Sequence, residues 1–343
     1  MPRAASGWFG TAPRRAERRA LPAALLMLSA CASVPPQPLS PVLDQPIVLE
    51  TATGAIHGSL NHPGGGSSVP VALIIAGSGP TDRDGNTAGM PGRNDAYRML
   101  AEALARRGIA TVRFDKRGIA ASGGAAPSEA ELRFETYVED AAGWLRMLRQ
   151  DPRFSTVTVI GHSEGSLVGM LAAREAAADA FVSIAGIARR ASDILRDQLR
   201  SRLPAALSAR NERILQALER GETVDTVPPE LAALYRPSVQ PYVISWFRYL
   251  PADEIARLSV PTLVVQGSTD VQVGVAEAEE LARRSPSARL EIIEGMNHVL
   301  KRVSGGLAEQ QPSYFDPALP IVPELVDAVA SFIEGVAPAR AAR

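Results

Sequence analysis

Residues 161–165 read Gly-His-Ser-Glu-Gly, directly after the apolar run Thr156–Ile160 and directly before a helix-compatible Ser-Leu-Val-Gly-Met-Leu-Ala-Ala. A G-x-S-x-G turn between a strand and a helix exposes its serine as a nucleophile. The turn is so sharp that a Cβ two residues before or after the serine would clash, which assigns Gly161 and Gly165 to crowding. The Ser163 hydroxyl then stands at the base of the following helix, whose N-terminal dipole favours the negative charge that develops in acyl transfer.

A serine nucleophile needs a base. The chain has four histidines. His162 is the neighbour of Ser163, and adjacent side chains diverge, so it is expected to pack beside the elbow. His57, in an early hairpin, and His62, before Pro63, read as surface residues. His298, in Gly295-Met296-Asn297-His298 after the last apolar run, is the expected general base. The base needs an acid to hold its tautomer and stabilise the imidazolium. Asp270, in Gln266-Gly267-Ser268-Thr269-Asp270, follows an apolar run and fits that role, whereas Asp253 and Glu254 precede the run. For the oxyanion, the bare loop Gly77-Ser78-Gly79-Pro80 offers the Ser78 amide, with Gly79 as the alternative, and the elbow offers the Glu164 amide. Pro80 has no N–H to give.

These residues need a scaffold that brings separate loops to one rim. Pro46–Glu50 and Ala55–Leu60 read as a hairpin. Val71–Ala76, Ala110–Phe114, Thr156–Ile160, Phe181–Ala185, Thr262–Gln266 and Leu290–Ile293 read as buried strands. Helical periodicity over Asp95–Arg107, Phe134–Arg149 and Pro323–Val336 alternates with them. The alternation predicts an α/β fold: a mostly parallel sheet with helices on both faces, whose parallel strands all present their carboxyl ends to one side. The expected core spans 46–187 and 256–336. Residues 188–255 interrupt the rhythm with helical clusters and read as a lid. Their aromatics Tyr235, Tyr242, Trp246, Phe247 and Tyr249 are candidates for an acyl pocket, or for helix packing alone.

Composition narrows the alternatives. The 343 residues carry 36 Lys+Arg against 37 Asp+Glu, so no basic surplus argues for nucleic acid. One cysteine excludes an intrachain disulfide framework and a Cys-rich zinc site. No dinucleotide, Walker or H-E-x-x-H motif occurs, and Asp82-Arg83-Asp84-Gly85 lacks the further ligands of a calcium loop, so neither cofactor nor metal is expected.

Residues 1–30 hold five arginines and one acid, then the apolar Leu21–Leu28, the pattern of an export signal. Leu28-Ser29-Ala30-Cys31 resembles a bacterial lipobox, which implies lipidation at Cys31 and attachment to the cell envelope. Removing those five bases and one acid leaves 31 bases against 36 acids, net −5, so the lipid rather than a basic patch would hold the protein at a membrane. The Pro-rich segment 31–45 reads as an extended tether, and 337–343 as a tail.

The chain order Ser163, Asp270, His298 resembles the α/β-hydrolase superfamily over residues 46–336. Within it, Gly77-Ser78-Gly79-Pro80-Thr81-Asp82-Arg83-Asp84-Gly85-Asn86 and Arg113-Phe114-Asp115-Lys116-Arg117-Gly118 resemble EstD-like bacterial serine carboxylesterases. The resemblance implies hydrolysis of short-chain acyl esters through an acyl-enzyme on Ser163. Two departures stand out: Ala76 where many relatives have His, and Ile119-Ala120-Ala121-Ser122 where relatives often have Gly-x-Gly-x-Ser. Asp115 and Arg117 are expected to brace loops. Amide, thioester or lactone hydrolysis on the same fold, and a noncatalytic envelope-binding role, are the rival expectations.

Overall fold

The computed structural model describes residues 42–65, 68–200 and 202–336. The segment read as an export signal, Cys31 and most of the Pro-rich segment lie outside them, as does the segment read as a tail. Eight strands form one sheet: β1 (Leu43–Thr51), β2 (Gly54–His62), β3 (Val69–Ile75), β4 (Ala110–Phe114), β5 (Phe154–His162), β6 (Ala180–Ile184), β7 (Thr262–Gly267) and β8 (Ala288–Ile293). β1 begins three residues inside the span read as tether. Leu43, Asp44 and Gln45 pair with His62, Asn61 and Leu60, but they lie exposed and carry no apolar signature.

The strand order is β1-β2-β4-β3-β5-β6-β7-β8. β1/β2 and β2/β4 are antiparallel, and the other neighbours are parallel. From β3 the chain steps outward to β4, then returns across β3 to β5. That reversal opens a crevice beyond the carboxyl ends of β3 and β5, where open α/β sheets bind ligands. The loops that begin at Ala76 and His162 border it.

Helices cover both faces. α1 (Ala96–Arg106) lies on one face with the C-terminal helix, and Leu100 and Leu104 share a core with Val329 and Ile333. α1 ends before Gly108, whose φ of 84° and amide bond to Ala105 make a left-handed C-terminal stop. α2 (Phe134–Gln150) and α3 (Glu164–Glu175) pack on the other face around Phe134, Trp144 and Leu145. Between β6 and β7 come α4 (Ala191–Arg200), α5 (Ala205–Glu219), α6 (Ala232–Tyr235), α7 (Gln240–Phe247) and α8 (Pro251–Ala256). α4 to α7 bury a core of their own with Ile194, Leu215, Tyr235 and Phe247. α8, inside the span read as lid, joins the sheet layer through Ala252 and Ile255. The remaining helices are α9 (Val275–Arg284), α10 (Leu307–Gln310) and α11 (Pro323–Glu334). Among the described residues, no helix is long and apolar enough to cross a membrane.

Ala120, in the turn after β4, has a φ of 45°. A side chain in the left-handed region costs about 1–2 kcal/mol. The loop is nonetheless held: Asp115 accepts the Ala121 amide at 3.1 Å, and the buried Ser122 Oγ accepts the His57 amide at 2.9 Å. Ala120→Gly should therefore raise the urea midpoint, corresponding to a gain of about 0.5–1 kcal/mol in unfolding free energy once the looser unfolded chain is counted. A lowered midpoint would contradict the strain.

Candidate functional site

Ser163 caps α3 with φ 55° and ψ −121°, a strained conformation for a residue with a side chain. The elbow has no room for further atoms. A Cβ on Gly161 would lie 2.2 Å from the Gly165 carbonyl oxygen, and one on Gly165 would lie 2.4 Å from that of Ile75. The Ser163 amide is tied to the Ile184 carbonyl at 2.9 Å, which locks the turn to β6.

Asp270 follows β7 and His298 follows β8, so both stand at the same edge as the elbow. His298 Nδ1 lies 2.8 Å from Asp270 Oδ2. With a carboxylate as acceptor, Nδ1 carries the proton and Nε2 keeps its lone pair. The other oxygen, Asp270 Oδ1, accepts the amides of Gln272 at 2.7 Å and Val273 at 3.0 Å. Burial alone would push the Asp270 carboxyl up; the positive charge that His298 carries once protonated, its hydrogen bond and the two amides outweigh that and hold it below the usual range. Gly77, Ser78, His162, Ser163, Gln272 and His298 all line one cavity of about 130 Å³.

The β3 loop closes on the serine: a Cβ on Gly77 would sit 3.2 Å from Ser163 Cβ. The Gly77 amide is spent on Tyr97 Oη at 3.1 Å. Among the described residues, the Ser78 amide has no protein acceptor. Glu164 opens α3, so its amide has no intrahelical partner. These two N–H groups border the serine and can receive an oxyanion.

The sequence underestimated His162. Its Nε2 lies 2.9 Å from the carbonyl oxygen of His298, which can only accept, so Nε2 carries the proton. Nδ1 therefore accepts from Tyr97 O–H at 2.8 Å, and Tyr97 Oη accepts the Gly77 amide. One buried chain thus joins the β3 loop, α1, the elbow and the His298 loop. Burial, then the nearby His298 charge, pushes the His162 pKa down to about 3. His62 also departs from expectation. It is buried at the end of β2, its ring 6.3 Å from that of Phe154, and its Nδ1 accepts the Gly64 amide at 3.1 Å. His57 is half-buried in β2.

Residues 299–322 gave no sequence signal, yet they seat His298. Asn297 and Lys301 bond reciprocally at 2.9 and 3.0 Å, and Asn297 Nδ2 donates to Ser313 Oγ at 2.7 Å. The buried Lys301 ammonium donates to the carbonyls of Asn94, Asp316 and Leu319. Asp115 binds the Arg83 amide at 2.8 Å and its guanidinium at 2.7 Å, and Arg117 grips Asp140. Asp82 Oδ1 accepts the Asp84 and Asn86 amides, each at 2.9 Å, closing a turn. Among the described residues, no group of three or more His, Cys, Asp or Glu could hold a metal ion.

A second cavity, about 550 Å³, lies across the Gly79-Pro80 loop and shares Thr87 with the first. Of the five lid aromatics, only Tyr242 lines it. Tyr235 and Phe247 fill the lid core. Trp246 stacks on Phe134 at 6.2 Å, and Tyr249 packs on the same ring at 5.4 Å.

His162 makes a pH prediction. Its pKa is depressed in the folded state and ordinary in the unfolded chain, so the stability is present above about pH 6.5 and is lost as pH falls toward 3. One proton taken up on unfolding is worth about 1.4 kcal/mol per pH unit. His162→Gln should flatten the fall in urea stability between pH 6 and 4 by about that slope. An unchanged slope would mean that the imidazole is protonated in the folded protein.

Residues 87–220 match the family described as serine aminopeptidase, S33. The chain is 27% identical over 255 residues to Esterase EstD of Thermotoga maritima, covering 73% of this chain and 59% of that protein. The match thus spans less than two thirds of that relative's length. Among solved structures, the chain is similar to Est1E from Butyrivibrio proteoclasticus with ferulic acid bound: TM-score 0.58, 17% identity, 84% of this chain and 98% of that one. It is similar also to the Pyrococcus furiosus esterase Pf2001: TM-score 0.54, 17% identity, 85% and 91% covered. With the sheet order and crossovers above, these likenesses establish the α/β-hydrolase fold for this chain.

Proposed function

We propose that this protein hydrolyses carboxylic esters through an acyl-enzyme on Ser163. The observation that carries the reading is the 2.8 Å contact of His298 Nδ1 with Asp270, in a cavity that His298 shares with Ser163. His298 Nε2, the ring nitrogen not bound to Asp270, takes the proton as Ser163 Oγ attacks the ester carbonyl carbon. The amides of Ser78 and Glu164 receive the oxyanion. The intermediate collapses, the C–O bond to the alcohol breaks, and His298 returns the proton to the leaving oxygen. Water, activated by the same imidazole, then releases the acid and frees Ser163. No metal is required by this route.

The space around Ser163 suits one short arm of an ester, and the 550 Å³ cavity is placed to take the larger arm. An aminopeptidase would need a free carboxylate there for the substrate ammonium. The two acids that line either cavity are both engaged: Glu129 with Arg236 and Glu164 with Lys116. That occupancy favours esters over amino-terminal amides. The reading further includes export, lipidation at Cys31 and residence at the bacterial envelope, supported by the arginine-rich start, the apolar stretch and the Leu28–Cys31 tetrapeptide.

The full-length chain should cleave p-nitrophenyl acetate or butyrate. Ser163→Ala should abolish turnover, and Asp270→Asn should lower kcat by about 10⁴, as expected when the imidazole loses its tautomer. Equal rates in wild type and Ser163→Ala would sink the proposal. Separately, Cys31→Ser should move the protein from the membrane fraction to the soluble fraction; unchanged fractionation would count against the anchor.

A further inference from the structure

Lys116 is an unusual residue to find beside an elbow. It follows β4, and its side chain and that of Glu164 are each only 3% exposed, with Nζ 3.7 Å from Glu164 Oε1. The ammonium donates to the Gly77 carbonyl oxygen at 2.5 Å and lies 5.3 Å from the centre of the Tyr137 ring. Burial pushes the Lys116 pKa down and the Glu164 pKa up, and each charge opposes the other's shift. Desolvating such a pair is costly, and a fold that needed only packing would do as well with apolar residues.

The location of its two partners gives the lysine a purpose. The Gly77 carbonyl and the Ser78 N–H belong to one planar trans peptide and point to opposite sides. A donor fixed on that carbonyl therefore fixes where the Ser78 N–H aims and withdraws electron density toward the oxygen. Lys116's other partner is the side chain of Glu164, the residue whose backbone N–H is the second donor to the oxyanion. We propose that Lys116 is a positioning residue for ester hydrolysis, holding both oxyanion donors in register through the Gly77–Ser78 peptide and the Glu164 side chain. This rests on the function proposed above. Tyr97 holds the Gly77 amide, which belongs to the preceding Ala76–Gly77 peptide, so the two peptides flanking Gly77 are each fixed by a buried side chain. The lysine's charge also offsets the Glu164 carboxylate, which would otherwise oppose a negative oxygen forming nearby.

The test separates positioning from charge neutralisation. Lys116→Met strands the Glu164 carboxyl and should lose stability. The double variant Lys116→Met/Glu164→Gln removes both charges and should recover the urea midpoint. In both, kcat for p-nitrophenyl butyrate should fall about 10- to 100-fold, less than or comparable to deleting one oxyanion donor, with KM within about twofold. Return of the double variant to wild-type kcat would overturn the proposal, since the lysine would then merely balance a charge. So would a folded Lys116→Met with wild-type kcat. If wild type and Ser163→Ala turn over ester equally, the functional reading fails instead. The Ser78 amide nitrogen resonance then decides the contact without turnover: it should move in the double variant, and an unmoved resonance overturns the proposal.

Discussion

The imidazole of His162 spends one nitrogen on the carbonyl of His298 and the other on Tyr97, whose oxygen in turn holds the Gly77 amide. Loops after three different strands are thereby referred to one buried ring. The direction of every bond in the chain is forced, because a carbonyl can only accept and a backbone amide can only donate. Burial keeps the ring neutral, and neutrality is what allows one nitrogen to accept while the other donates. A charged ring would break the chain at Tyr97. The placement of Ser163, of the His298 loop and of the Ala76–Gly77 peptide that leads into the β3 loop therefore share one condition.

Around that ring the fold concentrates polar groups where most proteins bury carbon. Lys116, Glu164, Arg117 and Asp140 are all buried within the segments that border the crevice, as is Lys301 behind the His298 loop. Each is matched: Arg117 with Asp140, Lys116 with Glu164, and Lys301 with backbone carbonyls. Buried matching of this kind contributes little net stability but penalises any other arrangement of the loops. Apolar contacts could hold these loops together, yet they are non-directional and would not aim an N–H at a point in the crevice.

How much of this was legible depended on whether the signal was local. The six apolar runs marked strands because fully buried parallel strands are apolar on both faces, and β4 matched its run residue for residue. The elbow was legible because two glycines at fixed spacing record a backbone collision. Asp270 and His298 could be placed because they follow strands whose carboxyl ends must share one edge. His162 was misjudged as simple packing because its partners, Tyr97 and the His298 carbonyl, lie 65 and 136 positions away. His62 was misjudged because the ring that covers it, Phe154, lies 92 positions further along the chain. Lys301 and the segment around it carried no periodicity, since they are held by side chain to backbone bonds rather than by an apolar face.

The residue after the nucleophile shows why the local and the distant cannot be separated. Any amino acid but proline would supply the same backbone N–H there, and position alone gives a helix N-terminus that welcomes an acid. Glu164, however, points its carboxyl inward to Lys116, beside Tyr242 of the lid helix α7 and the cavity wall. The elbow, the loop after β4 and the lid are thus joined through a single side chain whose backbone faces the serine. Under the proposed mechanism, one arm of a substrate in the larger cavity meets the same Glu164 carboxyl that Lys116 holds, one residue away from the nucleophile.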